Sequence, residues 1–123
     1  MLAGVALALP ALKRAEKIQK RAARVGFDWP DGSGPRGKID EELDELDRAV
    51  SSEERAAELG DLLFSIVNYA RHLGIDPEAA LCQATSRFEA RFRCVERTAV
   101  QPLGNMTIDE LEILWERAKE SET

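Results

Sequence analysis

The sequence has few of the residues that build zinc sites and disulfide frameworks. Its 123 residues include one histidine and two cysteines, too few for an ordinary Cys/His zinc site. Cys82 and Cys94 lie in one predicted helix, roughly 18 Å apart, which is beyond the reach of a disulfide. We therefore expect free thiols, as in a protein of the reducing cytoplasm.

Excess basic charge and long apolar runs are also lacking. The net charge of −6 argues against a nucleic-acid partner, which would require a basic surface. The apolar start of the chain ends at Pro10, has no basic residue before it, and does not resemble a signal peptide. No run is long enough to cross a membrane, so we expect no membrane partner. Charged residues make up 33 % and aromatic residues only 6 % of the chain, the composition of a soluble helical protein.

Turn and capping signals divide the chain into helices. Glycine, proline and N-cap residues mark the boundaries, and no strand alternation occurs. The predicted helices cover about 11–25, 38–50, 51–73, 77–99 and 107–119. Short connections between them favour an all-α bundle of four to five helices.

The predicted organisation is a lead-in over residues 1–10 and one domain over residues 11–120. Two capping-box signatures, Ser51 with Glu54 and Thr107 with Glu110, open the third and fifth helices. One long loop, at residues 26–37, separates the first two helices. Long loops inside compact domains are often functional.

The most informative pattern is a set of five carboxylates in two predicted helices. They are Glu41, Glu42 and Glu45 in the second helix, and Glu58 and Asp61 in the third. Helical projection places all five at the edge of an apolar stripe, whereas Asp40, Asp44 and Asp47 fall on the solvated side. Crowded carboxylates repel unless a cation lies among them, and Mg²⁺ prefers such oxygen ligands. From spacing alone, a merely solvated charged face remains the alternative.

Five segments of the sequence, taken together, indicate a family. They are KIQKRAARVGFDWP (17–30), KIDEELDEL (38–46), ELGDLLF (58–64), VNYAR (67–71) and RFEARF (87–92). In this order they resemble the MazG-like nucleoside triphosphate pyrophosphohydrolases over roughly residues 9–119. The resemblance implies an all-α fold and a Mg²⁺-dependent hydrolase, with Mn²⁺ as the alternative ion. Its implied reaction converts a nucleoside triphosphate to monophosphate and pyrophosphate, as housekeeping of the nucleotide pool.

The resemblance also implies roles for the carboxylates. By position, the metal ligands are Glu42, Glu45, Glu58 and Asp61. Glu41 lies in or beside this set, and Glu41 and Glu42 are the candidate catalytic residues. Bound metal would polarise the phosphate oxygens and activate a water molecule, and the carboxylate that takes the proton is left open.

Five further residues are candidates for substrate binding. They are Lys38, Arg87, Arg91, Trp29 and Asn68. The cations would contact phosphate, although Lys38 has the alternative of pairing with Glu42 and the arginines that of a solvated face. Trp29 would stack on a base or plug the core. Asn68 would contact the sugar or support the site, or fill an ordinary buried polar role.

Two features keep other functions open. Thr85 and Arg87 stand where the family commonly has asparagine and lysine, which leaves a nucleotide- or metal-binding module without turnover, or a helical interaction domain, as alternatives. The segment resembles the carboxy-terminal unit of longer two-unit members, and is either a stand-alone member or an excised piece.

The apolar pattern predicts self-association. Several apolar residues lie outside the main stripes: Phe64, Val67 and the Phe88–Phe92 pair. They predict a homodimer, with a tetramer as the alternative.

Overall fold

The computed structural model describes residues 2–121, and the first residue of the predicted lead-in, Met1, lies outside them. The α-helices are α1 (Ala11–Ala23), α2 (Ser33–Arg48), α3 (Ser52–His72), α4 (Pro77–Thr98) and α5 (Ile108–Glu120). A short 3₁₀ turn, Leu103–Asn105, precedes α5. Within residues 2–121 no strand forms, so the all-α prediction is confirmed.

Helix α2 begins earlier than the sequence predicted. Its first residue is Ser33, five positions before the expected start at Lys38. Pro35 occupies the first turn, where a missing backbone N–H leaves no intrahelical bond unmade. The Asp31 carboxylate accepts a hydrogen bond from the Ser33 N–H at 2.9 Å. The glycine-rich stretch is therefore partly helix, and the loop is shorter than predicted.

Side-chain caps open the later helices. The Thr107 and Glu110 capping box forms in full, with each side chain accepting from the other residue's backbone N–H. At α3 only half of the predicted box forms. Ser51 accepts from the Glu54 N–H, but the Glu54 carboxylate accepts from the Val50 N–H instead. Both arrangements satisfy donors that a helix start leaves unpaired.

The first compact unit of the described chain ends at Ala80. In it, α2 and α1 both pack against α3. The buried apolar residues of α3 are Leu62 and Val67. Helical projection predicts an apolar stripe on this helix made of Leu59, Leu62, Leu63, Ile66, Ala70 and Leu73. The stripe is partly wrong, because Leu63 and Ile66 are 47 % and 43 % exposed while Val67 is 2 % exposed. The side of α3 that packs against α1 and α2 is thus rotated from the projected one.

The second unit begins at Leu81 and holds a small core of its own. Val95 from α4 packs there with Leu114 and Ala118 from α5. The Phe88 ring lies 6.0 Å from Phe92 and 5.3 Å from Trp115, centroid to centroid. The contact between Phe88 and Trp115 joins α4 to α5 within this unit. A single domain over 11–120 stays a prediction.

The cysteines and the helix lengths can be read directly from the structure. Cys82 is exposed, Cys94 is partly buried, and both are free thiols. Among residues 2–121, none of the helices has the length and apolar content to span a membrane.

Candidate metal centre

Helices α2 and α3 bring three carboxylates together. Only residues 49–51 separate the two helices, so α3 folds back against α2, on which it packs. One carboxylate oxygen from each of Glu42, Glu58 and Asp61 lies within 4.8 Å of the other two. Asp61 is exposed, Glu58 is partly buried and Glu42 is buried. The convergence that helical projection left undecided therefore occurs.

Two oxygens of this cluster have no hydrogen-bond donor. Glu42 is 3 % exposed, and its Oε2 and the Oε2 of Glu58 are buried without a donor from the described part of the chain. Burying an ionised oxygen unpaired is unfavourable. An additional positive charge would remove that penalty.

Lys38 supplies part of the positive charge. Its Nζ lies 2.9 Å from Oε1 of Glu42 and 3.2 Å from Oε1 of Glu41. The hydrogen bond to Lys38 lowers the pKa of Glu42, and the two carboxylates raise the pKa of Lys38. The i,i+4 pairing considered for Lys38 is thus present. Glu41 has a side chain 56 % exposed and lies at the edge of the cluster.

The carboxylates of Glu45 and Glu58 are neighbours and share a hydrogen bond. A hydrogen bond shared with Glu45, together with loss of solvation and the Glu42 charge, raises the pKa of Glu58 to about 7. Two neighbouring carboxylates favour one shared proton because both cannot ionise cheaply. Glu45 thereby joins the cluster, although its oxygen lies outside the tightest group of three.

The cluster fits a hard divalent cation. All the possible metal ligands in the cluster are carboxylate oxygens. Two of these oxygens lack a hydrogen-bond partner, and the pKa of Glu58 is raised to about 7. An open depression beside the cluster is lined by Glu45, Glu58, Arg48, Glu54 and Ala49. Mg²⁺ takes oxygen ligands of this kind and keeps several positions for water and phosphate. Residues Glu42, Glu45, Glu58 and Asp61 would hold such an ion.

A second polar cluster lies where the loop after α1 meets the end of α3. The Asp28 carboxylate accepts from Arg71 Nη1 at 3.0 Å and lies 2.9 Å from His72 Nε2. Arg71 also donates to Asn68 Oδ1 through Nε at 3.1 Å and Nη2 at 2.7 Å. The guanidinium of Arg71 holds the pKa of Asp28 well below its usual range. Sequence reasoning missed this cluster, because Asp28 and Arg71 are 43 positions apart.

Trp29 follows Asp28 and rests on the start of α2. A Cβ on Gly34 would lie 2.5 Å from two atoms of the indole, so the ring packs closely over that glycine. Trp29 nevertheless remains 48 % exposed. The core-plug alternative is therefore wrong for the chain by itself, and part of the ring is accessible.

The two candidate arginines belong to the second unit. Arg87 is exposed on α4. The guanidinium carbon of Arg91 lies 5.8 Å from the ring centroid of Trp115, a cation–π arrangement. Arg91 is therefore held in part by its own unit. The structure brings Lys38 and Glu41 to the carboxylates of α2 and α3, and places Trp29 and Asn68 in the Asp28 cluster.

The fold and site define a class: an all-α protein with a cluster of carboxylates on two paired helices. The family model described as phosphoribosyl-ATP pyrophosphohydrolase matches residues 7–87. The chain therefore belongs to this family, and its resemblance to the MazG-like proteins is confirmed by the relatives that follow.

Two curated relatives are similar over most of this chain. The nucleoside triphosphate pyrophosphohydrolase/pyrophosphatase MazG of Thermotoga maritima is 46 % identical over 114 residues, which cover 90 % of this chain and 45 % of that protein. The nucleoside triphosphate pyrophosphohydrolase of Escherichia coli K12 is 44 % identical over 122 residues, covering 93 % of this chain and 46 % of that protein. This chain thus spans about half the length of the curated relatives it matches.

Proposed function

We propose that the chain is a Mg²⁺-dependent hydrolase that converts a nucleoside triphosphate to monophosphate and pyrophosphate. The names of the two relatives support the reaction class. The observation that carries the proposal is the approach of three carboxylate oxygens within 4.8 Å, with two buried oxygens of the cluster lacking a donor. Such a site needs a cation, and a cation there would bind phosphate.

The cluster residues would divide the work. Glu42, Glu45, Glu58 and Asp61 would hold the ion, which when bound would polarise phosphate oxygens and lower the pKa of a water molecule. Glu41, which is exposed beside them, would accept a proton from that water, with Glu42 as the alternative acceptor. Lys38 lies between these two carboxylates. On substrate binding its ammonium group would also face the phosphates.

The remaining candidates would bind the rest of the nucleotide. The accessible part of the Trp29 ring would stack on the base. The Asn68 carbonyl oxygen already accepts from Arg71, so its amide N–H groups would donate to the sugar. Arg87 and Arg91 are the proposed additional phosphate contacts.

The test measures pyrophosphate release from a panel of nucleoside triphosphates, with Mg²⁺ and with a chelator. We expect release by the wild type only with the metal, and none from Glu42→Ala or Asp61→Ala. The matched control is Asp47→Asn, since Asp47 is an exposed acidic residue of the same helix as Glu42. Full activity in both alanine variants would overturn the assigned site.

The same assay separates the alternatives. A binding module would show metal-dependent stabilisation by nucleotide without product. A helical interaction domain would show neither effect. The departures at Thr85 and Arg87 are tested by Arg87→Lys and Thr85→Asn, which restore the residues common in the family and should raise turnover if those positions limit it.

We further propose a cytoplasmic homodimer that serves nucleotide-pool housekeeping, with no nucleic-acid or membrane partner. Four large apolar side chains of α3 are each 43–47 % exposed: Leu59, Leu63, Phe64 and Ile66. Exposed apolar patches of this kind commonly mark a protein–protein interface. A second copy of the chain would cover it. Light scattering of the purified chain should give twice the monomer mass, and Leu63→Lys should lower it.

A further inference from the structure

The Asp28 cluster joins a loop to the far end of α3. Arg71 grips the Asp28 carboxylate with two nitrogens, and His72 Nε2 approaches the same carboxylate at 2.9 Å. The side chains of Arg71 and His72 are only 12 % and 11 % exposed. Asn68 fixes the guanidinium from its other side through two hydrogen bonds. Ion pairs that are hydrogen-bonded on several sides and largely buried hold their side chains in one conformation.

The same loop approaches α3 a second time. A Cβ added to Gly32 would lie 3.8 Å from His72 Cβ and 3.9 Å from a Tyr69 ring carbon. The loop is thus bonded to α3 at Asp28 and passes close to it again at Gly32. Between these two points lies Trp29, whose backbone N–H donates to the Asp28 carboxylate at 2.8 Å.

Trp29 has its position fixed from two sides. Its backbone is bonded to Asp28, and its indole rests on Gly34, where a Cβ would come within 2.5 Å of ring carbons. The ring is still 48 % exposed. A large aromatic side chain that is held firmly but left half accessible suits a stacking contact, because less freedom is lost when a ligand binds.

We infer that Asp28, Arg71, His72 and Asn68 act together as positioning residues that hold the Trp29 indole ready to stack on the base of the nucleotide. The inference rests on the proposed function for its ligand. It assigns to this buried cluster a contribution to base affinity, made through Trp29. Because that contribution is made to the base, loss of the cluster should affect substrate binding more than turnover.

The first experiment observes Trp29 without any substrate. Trp115 is replaced by phenylalanine so that Trp29 is the remaining tryptophan, and acrylamide quenching of its fluorescence is measured. Asp28→Asn and Gly34→Ala should each raise the quenching constant, roughly twofold, as the ring is freed or displaced. The controls are Asp40→Asn, which removes an exposed Arg–Asp pair at 2.8 Å, and Gly37→Ala, where a Cβ meets nothing within 4 Å.

The second experiment measures pyrophosphate release with Trp115 retained. Asp28→Asn should raise KM for the nucleoside triphosphates roughly tenfold, within the range of one lost base stack, and change kcat less than about twofold. Inhibition by inorganic pyrophosphate, which has no base, should be unchanged. In a Trp29→Ala background, Asp28→Asn should raise KM no further, which a general structural role would not produce.

Each outcome decides the inference. Unchanged quenching in both Asp28→Asn and Gly34→Ala, a fall in kcat with constant KM, or additive effects of Asp28→Asn and Trp29→Ala would overturn it. If Asp28→Asn does not fold, His72→Gln and Gly34→Ala carry the same tests. If the wild type releases no pyrophosphate, the proposed function fails. Quenching, together with its change on adding ATP or pyrophosphate, then decides the inference by itself: selective shielding of Trp29 by ATP supports it, and equal effects overturn it.

Discussion

Helix α3 contributes to two clusters of charged residues, and the clusters differ in how their charges are satisfied. Near its start, Glu58 and Asp61 meet Glu42, and two buried oxygens have no donor within residues 2–121. Near its end, Arg71 and His72 enclose Asp28, and both carboxylate oxygens of Asp28 have partners. The two groups belong to one unit and use the same helix.

The difference shows which group awaits a ligand. In the Asp28 cluster the protein supplies the positive charge, and the pKa of Asp28 falls below its usual range. In the carboxylate cluster one lysine faces several acids, and the pKa of Glu58 rises to about 7. Self-sufficient pairs stabilise a loop, whereas unbalanced carboxylates gain most from an added cation. Substitutions in the carboxylate cluster should therefore lower activity but not stability, whereas substitutions in the Asp28 cluster should lower stability.

The largest expected effect is on activity. Glu58→Gln keeps the size of the side chain but removes one charged ligand, so pyrophosphate release should fall about a thousandfold. The free energy of unfolding without metal should stay equal or rise, because a repulsive charge is lost. Glu53→Gln, an exposed residue in the first turn of the same helix, is the control. Activity within tenfold of the wild type would show that Glu58 does not hold the metal.

The second effect is on folding. Arg71→Gln leaves Asp28 largely buried without its main partner and should lower the free energy of unfolding by about 2–4 kcal/mol. Urea denaturation measures the loss. The exposed pair of Arg36 and Asp40 provides the comparison, since Asp40→Asn should change stability by less than about 0.5 kcal/mol. If Arg71→Gln and Asp40→Asn lowered the free energy of unfolding equally, the Asp28 pair would be no more stabilising than an exposed ion pair.

The sequence predicted these two clusters unequally. Projection placed Glu42, Glu58 and Asp61 at the edges of two apolar stripes, because spacing within a helix is fixed. It left open whether those edges meet, which the packing of α3 on α2 decides. The Asp28 and Arg71 contact joins residues 43 positions apart, and no local pattern indicates such a pair. The early start of α2 was missed because Gly32, Gly34 and Pro35 indicate a loop, whereas Pro35 lies in the first turn of the helix. The buried side of α3 was misjudged because Ile66 and Val67 are equally apolar neighbours.

The third effect is stabilisation by metal. Mg²⁺ at a hundred times its dissociation constant should raise the free energy of unfolding by about 2.7 kcal/mol, measured as a shift in the thermal midpoint. Asp28→Asn should lower the starting midpoint but keep the full shift. Asp61→Asn should keep the starting midpoint and lose most of the shift. A shift that survives Asp61→Asn would place the metal elsewhere.

The smallest effect is the pH dependence of stability without metal, and it has opposite signs in the two clusters. The pKa of Glu58 is raised from 4.5 to about 7, so its contribution is present below about pH 4.5 and is lost as pH rises through 7. The pKa of Asp28 is lowered from 3.8, so its contribution is present above that pH and is lost as pH falls below it.

Denaturation curves from pH 3 to 8 should therefore show a decline at each end, and each variant should remove one of them. Glu58→Gln should abolish the decline between about pH 4.5 and 7, and Asp28→Asn should weaken the acid decline. Excess Mg²⁺ should also abolish the neutral decline, because the ion replaces the proton on Glu58. If Glu58→Gln left the neutral decline intact, the shared proton would lie on another group, and the contrast between the two clusters would rest on geometry alone.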